Sequence, residues 1–112
     1  MFKSFEFLEY SCCDPKTNKY RWRYKIVDDE FEEVGVVGVA LVAAVVAPGL
    51  AVAVIDTYSN RGLSVVPNLI RALQWYSSKY SISIEQVIAW QLQYNPKFKQ
   101  YEQEIERYLV LV

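Results

Sequence analysis

The chain has 112 residues, of which 53% are hydrophobic, and its 12 Lys and Arg against 13 Asp and Glu give a formal net charge of −1. This length fits one domain, or one small domain with an appended segment. The near-zero charge argues against a general nucleic-acid binder and, with the high hydrophobicity, against disorder. Histidine is absent, which excludes Ser-His-Asp and Cys-His nucleophile activation and every metal site that uses histidine.

Residues 1–33 predict an amphipathic β-hairpin. Apolar side chains alternate with polar or charged ones along two segments, as in strands that bury one face. The apolar positions are Phe5, Phe7 and Tyr10 in the first segment and Tyr20, Trp22, Tyr24 and Ile26 in the second. Residues 14–18, Asp-Pro-Lys-Thr-Asn, have the chemistry of a turn. The basic face of the second segment is compatible with phosphate binding, but acidic residues follow at once, so we expect a solvated charged face.

The acidic run at residues 28–33 has two interpretations. Its carboxylates are suitable oxygen ligands for Ca²⁺ or Mg²⁺. Their spacing matches no regular calcium loop, so we expect a solvated boundary and no metal. Cys12 and Cys13 are adjacent in a predicted strand, where neighbouring side chains point to opposite faces, so a disulfide between them is geometrically poor.

Val34–Ile55 is a run of 22 residues without a polar side chain. As a helix it would span roughly 33 Å, close to the ~30 Å hydrocarbon core of a bilayer. Phe31 and Tyr58 flank it, as interfacial aromatics do in membrane proteins. The run therefore predicts one transmembrane helix, and the excess of Lys and Arg before it predicts that the N-terminus lies inside.

Two other interpretations of this run stay open. In the first, Pro48 and Gly49 form a turn between two buried strands at 34–47 and 50–55. In the second, the run is a helix buried in a protein core. The abundance of Val and Ala, with Pro48 near the middle, makes membrane insertion marginal and leaves these alternatives in place.

A helix over this run would place small residues along one stripe. The small residues are Gly35, Ala43, Ala47 and Ala51, with Val39 between the first two, and this four-residue spacing would let a second helix approach closely in lipid. We call these five residues the helix-packing stripe and predict a packing role for it. The alternative is that an Ala-rich run produces such a stripe by chance.

The rest of the chain predicts a linker at 56–64 and three amphipathic helices at 65–112. Ser64 precedes the first helix, and Ser83 with Gln86 forms a capping box for the second. Asn95-Pro96 ends the second helix, and the third begins at Lys97. The last two helices resemble a helix-turn-helix in spacing. The third helix, however, carries Glu102, Glu104 and Glu106, which the phosphates of DNA would repel, and this argues against DNA recognition.

The sequence thus predicts an α+β protein: an N-terminal β-hairpin (1–33), an apolar transmembrane helix (34–55), a linker (56–64) and a C-terminal three-helix segment (65–112). We expect no enzymatic activity, cofactor or nucleic-acid partner. The predicted function is a structural or assembly subunit of a membrane complex or virion membrane, whose partners are other proteins, further copies of itself and membrane lipid. The alternative is a cytoplasmic α+β interaction module, a dimer, with residues 34–55 as its buried core.

Overall fold

The computed structural model describes residues 1–14, 19–37 and 46–111. The strands among them are β1 (Phe2–Asp14), β2 (Lys19–Asp28) and β3 (Glu32–Val37). The helices are α1 (Val46–Asn60), α2 (Val65–Tyr80), α3 (Ile84–Tyr94) and α4 (Glu102–Leu111), with a 3₁₀ helix (Pro96–Tyr101) before α4. The predicted α+β class is confirmed.

The described strands form one antiparallel sheet in the order β1-β2-β3. The predicted hairpin is confirmed as β1 and β2, and its apolar alternation supplies the buried face, since Phe5, Trp22, Tyr24 and Ile26 are all buried. Phe7 departs from the prediction because its side chain is 39% exposed. Of the turn predicted at 14–18, Asp14 belongs to β1 and residues 15–18 lie outside the described residues. The third strand was not part of the predicted hairpin, and only the two-strand alternative for the apolar run placed a strand in this region, at 34–47.

The prediction of one helix over 34–55 is wrong at its start, because residues 34–37 belong to β3. It is also wrong at its end, because α1 continues to Asn60 and takes up the first five residues of the linker predicted at 56–64. The two-strand alternative is wrong at its end, because residues 50–55 lie in α1. Pro48 falls in the first turn of α1, where a backbone N–H has no partner within the helix, so proline is tolerated there. None of the helices in the described part of the chain is both long enough and apolar enough to cross a membrane.

The two ends of the apolar run lie close together. The rings of Phe31 and Tyr58, expected on opposite sides of a bilayer, meet edge-to-face with centroids 5.5 Å apart. Glu33 and Arg61 form an ion pair at 2.5 Å. A continuous helix between these residues would hold them far apart. The two described ends of the run are therefore not the ends of one continuous helix.

Helix α1 packs against the inner face of the sheet. Its buried side chains are Leu50, Ala51, Ala53, Val54, Ile55 and Tyr58. At Gly49 the helix backbone meets the ring of Trp22, and a Cβ there would overlap ring atoms. The second half of the apolar run therefore contributes to the protein core, as the buried-helix interpretation expected.

The C-terminal segment contains the predicted helices with one change. Ser83 caps α3, with its Oγ accepting a hydrogen bond from the Gln86 N–H at 3.2 Å. The predicted third helix starts as the 3₁₀ turn and continues as α4. Phe98 and Ile105 are buried as expected, whereas Tyr108 is 42% exposed.

Candidate interaction surface

The outer face of the sheet carries short rows of side chains that run across the strands. The strand registers place Glu6, Lys25 and Val34 in one row, and Glu9, Arg23 and Val36 in the next. Arg23 pairs with Glu9 at 2.9 Å, and Lys25 pairs with Glu32 on β3 at 3.4 Å. Each row therefore runs from an acid through a base to a valine.

The valines lie on β3, at one edge of the described sheet. Val34 is 48% exposed and Val36 is 55% exposed. Between them, Gly35 lies on the inner face, where a Cβ would collide with the Tyr24 side chain. The ring of Tyr24 thus packs directly on the glycine backbone, which supports a strand position that would otherwise lack side-chain contacts.

A short turn connects β2 to this edge. The Asp28 N–H donates to the Phe31 carbonyl at 2.8 Å, closing a four-residue turn. Asp28 Oδ1 accepts from the Glu30 N–H at 3.1 Å and from the Met1 amino group at 2.5 Å. Its Oδ2 accepts from the Tyr58 hydroxyl of α1. Asp28 therefore joins the turn before β3 to the helix that contains the second part of the apolar run.

The protonation of this pair follows from its surroundings. Burial acts to raise the pKa of Asp28, but hydrogen bonds from the Met1 amino group, the Tyr58 hydroxyl and the Glu30 N–H outweigh it, so the pKa lies below its ordinary value. Burial raises the pKa of Tyr58 well above its ordinary value, and the Asp28 carboxylate raises it further. Tyr58 therefore stays a neutral donor and Asp28 an ionised acceptor at neutral pH.

A second tie links β3 itself to α1. Arg61, just beyond the helix, reaches Glu33 at 2.5 Å and stacks over the Phe31 ring with its guanidinium carbon 4.1 Å from the centroid. Both Arg61 and Glu33 are substantially exposed, so salt screens this contact more than the buried Asp28–Tyr58 contact. Together the Asp28–Tyr58 hydrogen bond and the Glu33–Arg61 ion pair hold β3 and the turn before it against α1.

The acidic run at 28–33 is therefore divided by the fold. Asp28 turns inward to Tyr58, Glu32 pairs with Lys25 and Glu33 pairs with Arg61. Among the described residues no group of three or more acidic or cysteine side chains is placed to hold a metal ion.

Open clefts lie among the described residues on the helical side of the protein. One, of about 430 Å³, lies between the start of α2 and α4 and is lined by Pro67, Tyr101 and Tyr108 among others. The other, of about 630 Å³, lies along α4 beside Gln103 and Arg107.

The helix-packing stripe is not brought together on one helix. Gly35 lies in β3, and Ala51 is buried in α1, so the two do not share a helix face. Ala47 belongs to α1, but its side chain is outside the description, and Val39 and Ala43 lie outside the described residues.

Sequence reasoning missed both the exposed valines and the role of Asp28. One signal was present: Asp28-Asp29-Glu30 has turn chemistry directly after a strand, and the β-branched residues that follow favour another strand.

Comparison of the chain with protein-family models, with known proteins and with solved structures finds no match.

Proposed function

We propose that this protein is a non-catalytic α+β interaction module that associates with itself. One observation carries the proposal: the apolar run is divided. Val34 and Val36 are exposed beside a charged sheet face, and the residues buried beneath the sheet are Leu50, Ala51, Ala53, Val54 and Ile55. Exposed β-branched side chains on an edge strand favour pairing with another chain.

The surroundings of these valines support an interaction role. Arg23 and Lys25 on the neighbouring strand are paired with carboxylates, so the surface has no strong local charge to repel a protein partner. An apolar centre with a polar rim is the usual arrangement in protein interfaces. The net charge of −1 also leaves little long-range repulsion between copies of the chain.

Sedimentation velocity of the full chain over a wide concentration range tests this function. We expect the sedimentation coefficient to rise with concentration from a monomer value to a dimer value. A single monomer boundary at every concentration would contradict self-association.

A second candidate, an assembly subunit of a membrane complex, has one observation in its favour, the uncharged run 34–55. Flotation of the folded chain with phosphatidylcholine vesicles separates the two candidates. Flotation with the vesicles would support the membrane role, whereas a protein that stays at the bottom of the gradient and self-associates would support the module.

A further inference from the structure

The two edges of the described sheet differ in how they are protected. Strand β1 has register shifts against β2 at three places, and such bulges twist an edge away from regular pairing. Helix α2 also covers its beginning, since the Phe2 N–H donates to Asn68 Oδ1 at 3.2 Å and the Phe2 ring meets Trp75 at 5.8 Å. An incoming strand would meet an irregular edge here whose first N–H is already bonded.

Strand β3 has none of these features along its described length. Its six residues pair with β2 in a continuous register from Val27–Glu32 to Trp22–Val37. Its sequence, Glu-Glu-Val-Gly-Val-Val, lacks the Lys and Pro residues with which proteins commonly block an edge strand. Its charged residues, Glu32 and Glu33, occupy only the first two positions and are paired with Lys25 and Arg61. The regular edge of this sheet is therefore β3.

The geometry of antiparallel pairing limits how a second copy can join this edge. Residues directly opposite each other in an antiparallel pair point to the same face of the sheet. With a two-fold axis perpendicular to the sheet, the outward residues Val34 and Val36 must therefore face outward residues of the second copy. Only registers centred on a residue of β3 satisfy this condition.

The side chains then select among these registers. Centring on Glu33 would place two carboxylates opposite each other, which is unfavourable. Centring on Val34 makes one Val–Val pair but sets Glu32 against Val36. Centring on Gly35 sets Val34 of each copy against Val36 of the other, giving two Val–Val pairs and leaving Glu33, held by Arg61, opposite Val37.

The Gly35-centred register also keeps the like charges of the two outer faces apart. Each row across the joined sheets runs Glu6, Lys25, Val34, then Val36, Arg23 and Glu9 of the second copy. The two bases are three strand spacings apart, roughly 14 Å, which exceeds the Debye length of about 8 Å at physiological salt. Valines therefore meet at the centre without repulsion from the flanking bases.

We propose that a second copy of this chain pairs antiparallel along β3, centred on Gly35, and extends the described three-stranded sheet into one of six strands. This assignment rests on the proposed self-association and names the surface that performs it. An extended segment of another protein is the alternative occupant of the same edge.

Cysteine cross-linking tests the register directly. In a background with Cys12→Ser and Cys13→Ser, the single variants Val34→Cys and Val36→Cys are prepared separately, mixed and mildly oxidised. The proposed register predicts a covalent dimer from the mixture and little from either variant alone, because only the mixed pair lies directly opposite. Strong cross-linking of Val34→Cys with itself would overturn the Gly35-centred register.

Sedimentation of edge variants tests the surface. Val36→Lys places a lysine on the edge, and we expect the dimer dissociation constant to rise at least about tenfold. Val110→Lys changes an equally apolar side chain, 84% exposed on α4, and should leave the constant unchanged. Circular dichroism melting of both variants confirms that they fold.

The outcomes separate the two proposals. A wild-type dimer that Val36→Lys does not weaken and the mixed cysteines do not trap would overturn the β3 interface while leaving self-association in place. A wild-type chain that stays monomeric at every concentration would overturn both, and would leave the edge available to a different protein.

Discussion

Val34–Val37 and Val46–Ile55 come from one uncharged run, but they have opposite positions in the fold. The first is an edge strand with exposed valines, and the second begins a helix with a buried inner face. Both are rich in Val, so composition does not separate them. The difference is in the neighbours. A turn at Asp28–Phe31 returns the first segment beside β2, whereas the second begins a helix whose first turns pack against Trp22 at Gly49. The composition of an apolar run therefore does not by itself predict which of its residues are buried, because burial depends on the elements that pack beside each part of the run.

The largest expected loss of stability comes from a substitution at Gly49, because its backbone contacts the Trp22 ring. Gly49→Ala forces a methyl group into the fully buried indole, and overpacking of this kind costs about 2–3 kcal/mol of unfolding free energy. Gly35→Ala, the same change in the strand segment, meets the end of the Tyr24 side chain, so we expect about 1 kcal/mol. Urea unfolding measures both, with Ser78→Ala on the exposed side of α2 as a control. Equal losses at the two glycines would contradict the difference in packing.

Substitution of Asp28 tests whether its hydrogen bond with Tyr58 holds the two ends of the run together. Asp28→Asn removes a buried charged acceptor of several hydrogen bonds, and we expect a loss of about 1–3 kcal/mol. Because the pKa of Asp28 is lowered in the fold, its contribution is present above about pH 4, the unfolded value, and is lost as pH falls through the folded value.

The difference in stability between wild type and Asp28→Asn should therefore shrink as pH falls from 5 toward 2. Asp29→Asn, at an exposed neighbour, is the control and should cost much less unfolding free energy than Asp28→Asn. A constant difference between wild type and Asp28→Asn across this range would count against the hydrogen-bonded carboxylate.

Ionisation of buried tyrosines should lower the stability of the fold at alkaline pH, by less than the substitutions above. Burial raises the pKa values of Tyr24, Tyr58 and Tyr76, so the unfolded chain releases these protons first and stability falls as pH rises above about 10. We expect the absorbance change of tyrosinate to include a late phase that coincides with unfolding. In Tyr58→Phe the fall in stability should be less steep, and an unchanged slope would show that this hydroxyl is not held neutral by the fold.

The smallest expected loss of stability comes from breaking the exposed contacts of Arg61 with Glu33 and Phe31. Arg61→Ala removes the ion pair with Glu33 and the cation–π contact with Phe31, and we expect a loss of about 0.5–1 kcal/mol. A double-mutant cycle with Glu33→Gln measures the coupling. The coupling should decrease with added salt, whereas a salt-independent coupling would contradict a screened surface pair.

Much of the fold was predictable where the sequence has a clear period. The alternation at Trp22, Tyr24 and Ile26 predicted β2, and Ser83 with Gln86 predicted the start of α3. The run 34–55 has no polar residue to mark which face is buried, so its division into strand and helix was not predictable from periodicity. The exposure of Val34 and the burial of Asp28 were also missed, since both depend on contacts with distant residues such as Tyr58.

The most direct test of the divided run is the distance between its two ends. Spin labels are attached at Glu32→Cys and Asn60→Cys in a background with Cys12→Ser and Cys13→Ser. Electron paramagnetic resonance then measures the distance between the two labels. The fold predicts a short distance, because Phe31 and Tyr58 lie 5.5 Å apart between ring centroids beside the two labels. A continuous helix over the intervening chain would separate the labelled backbones by about 42 Å. That long distance, in solution or in vesicles, would contradict the account.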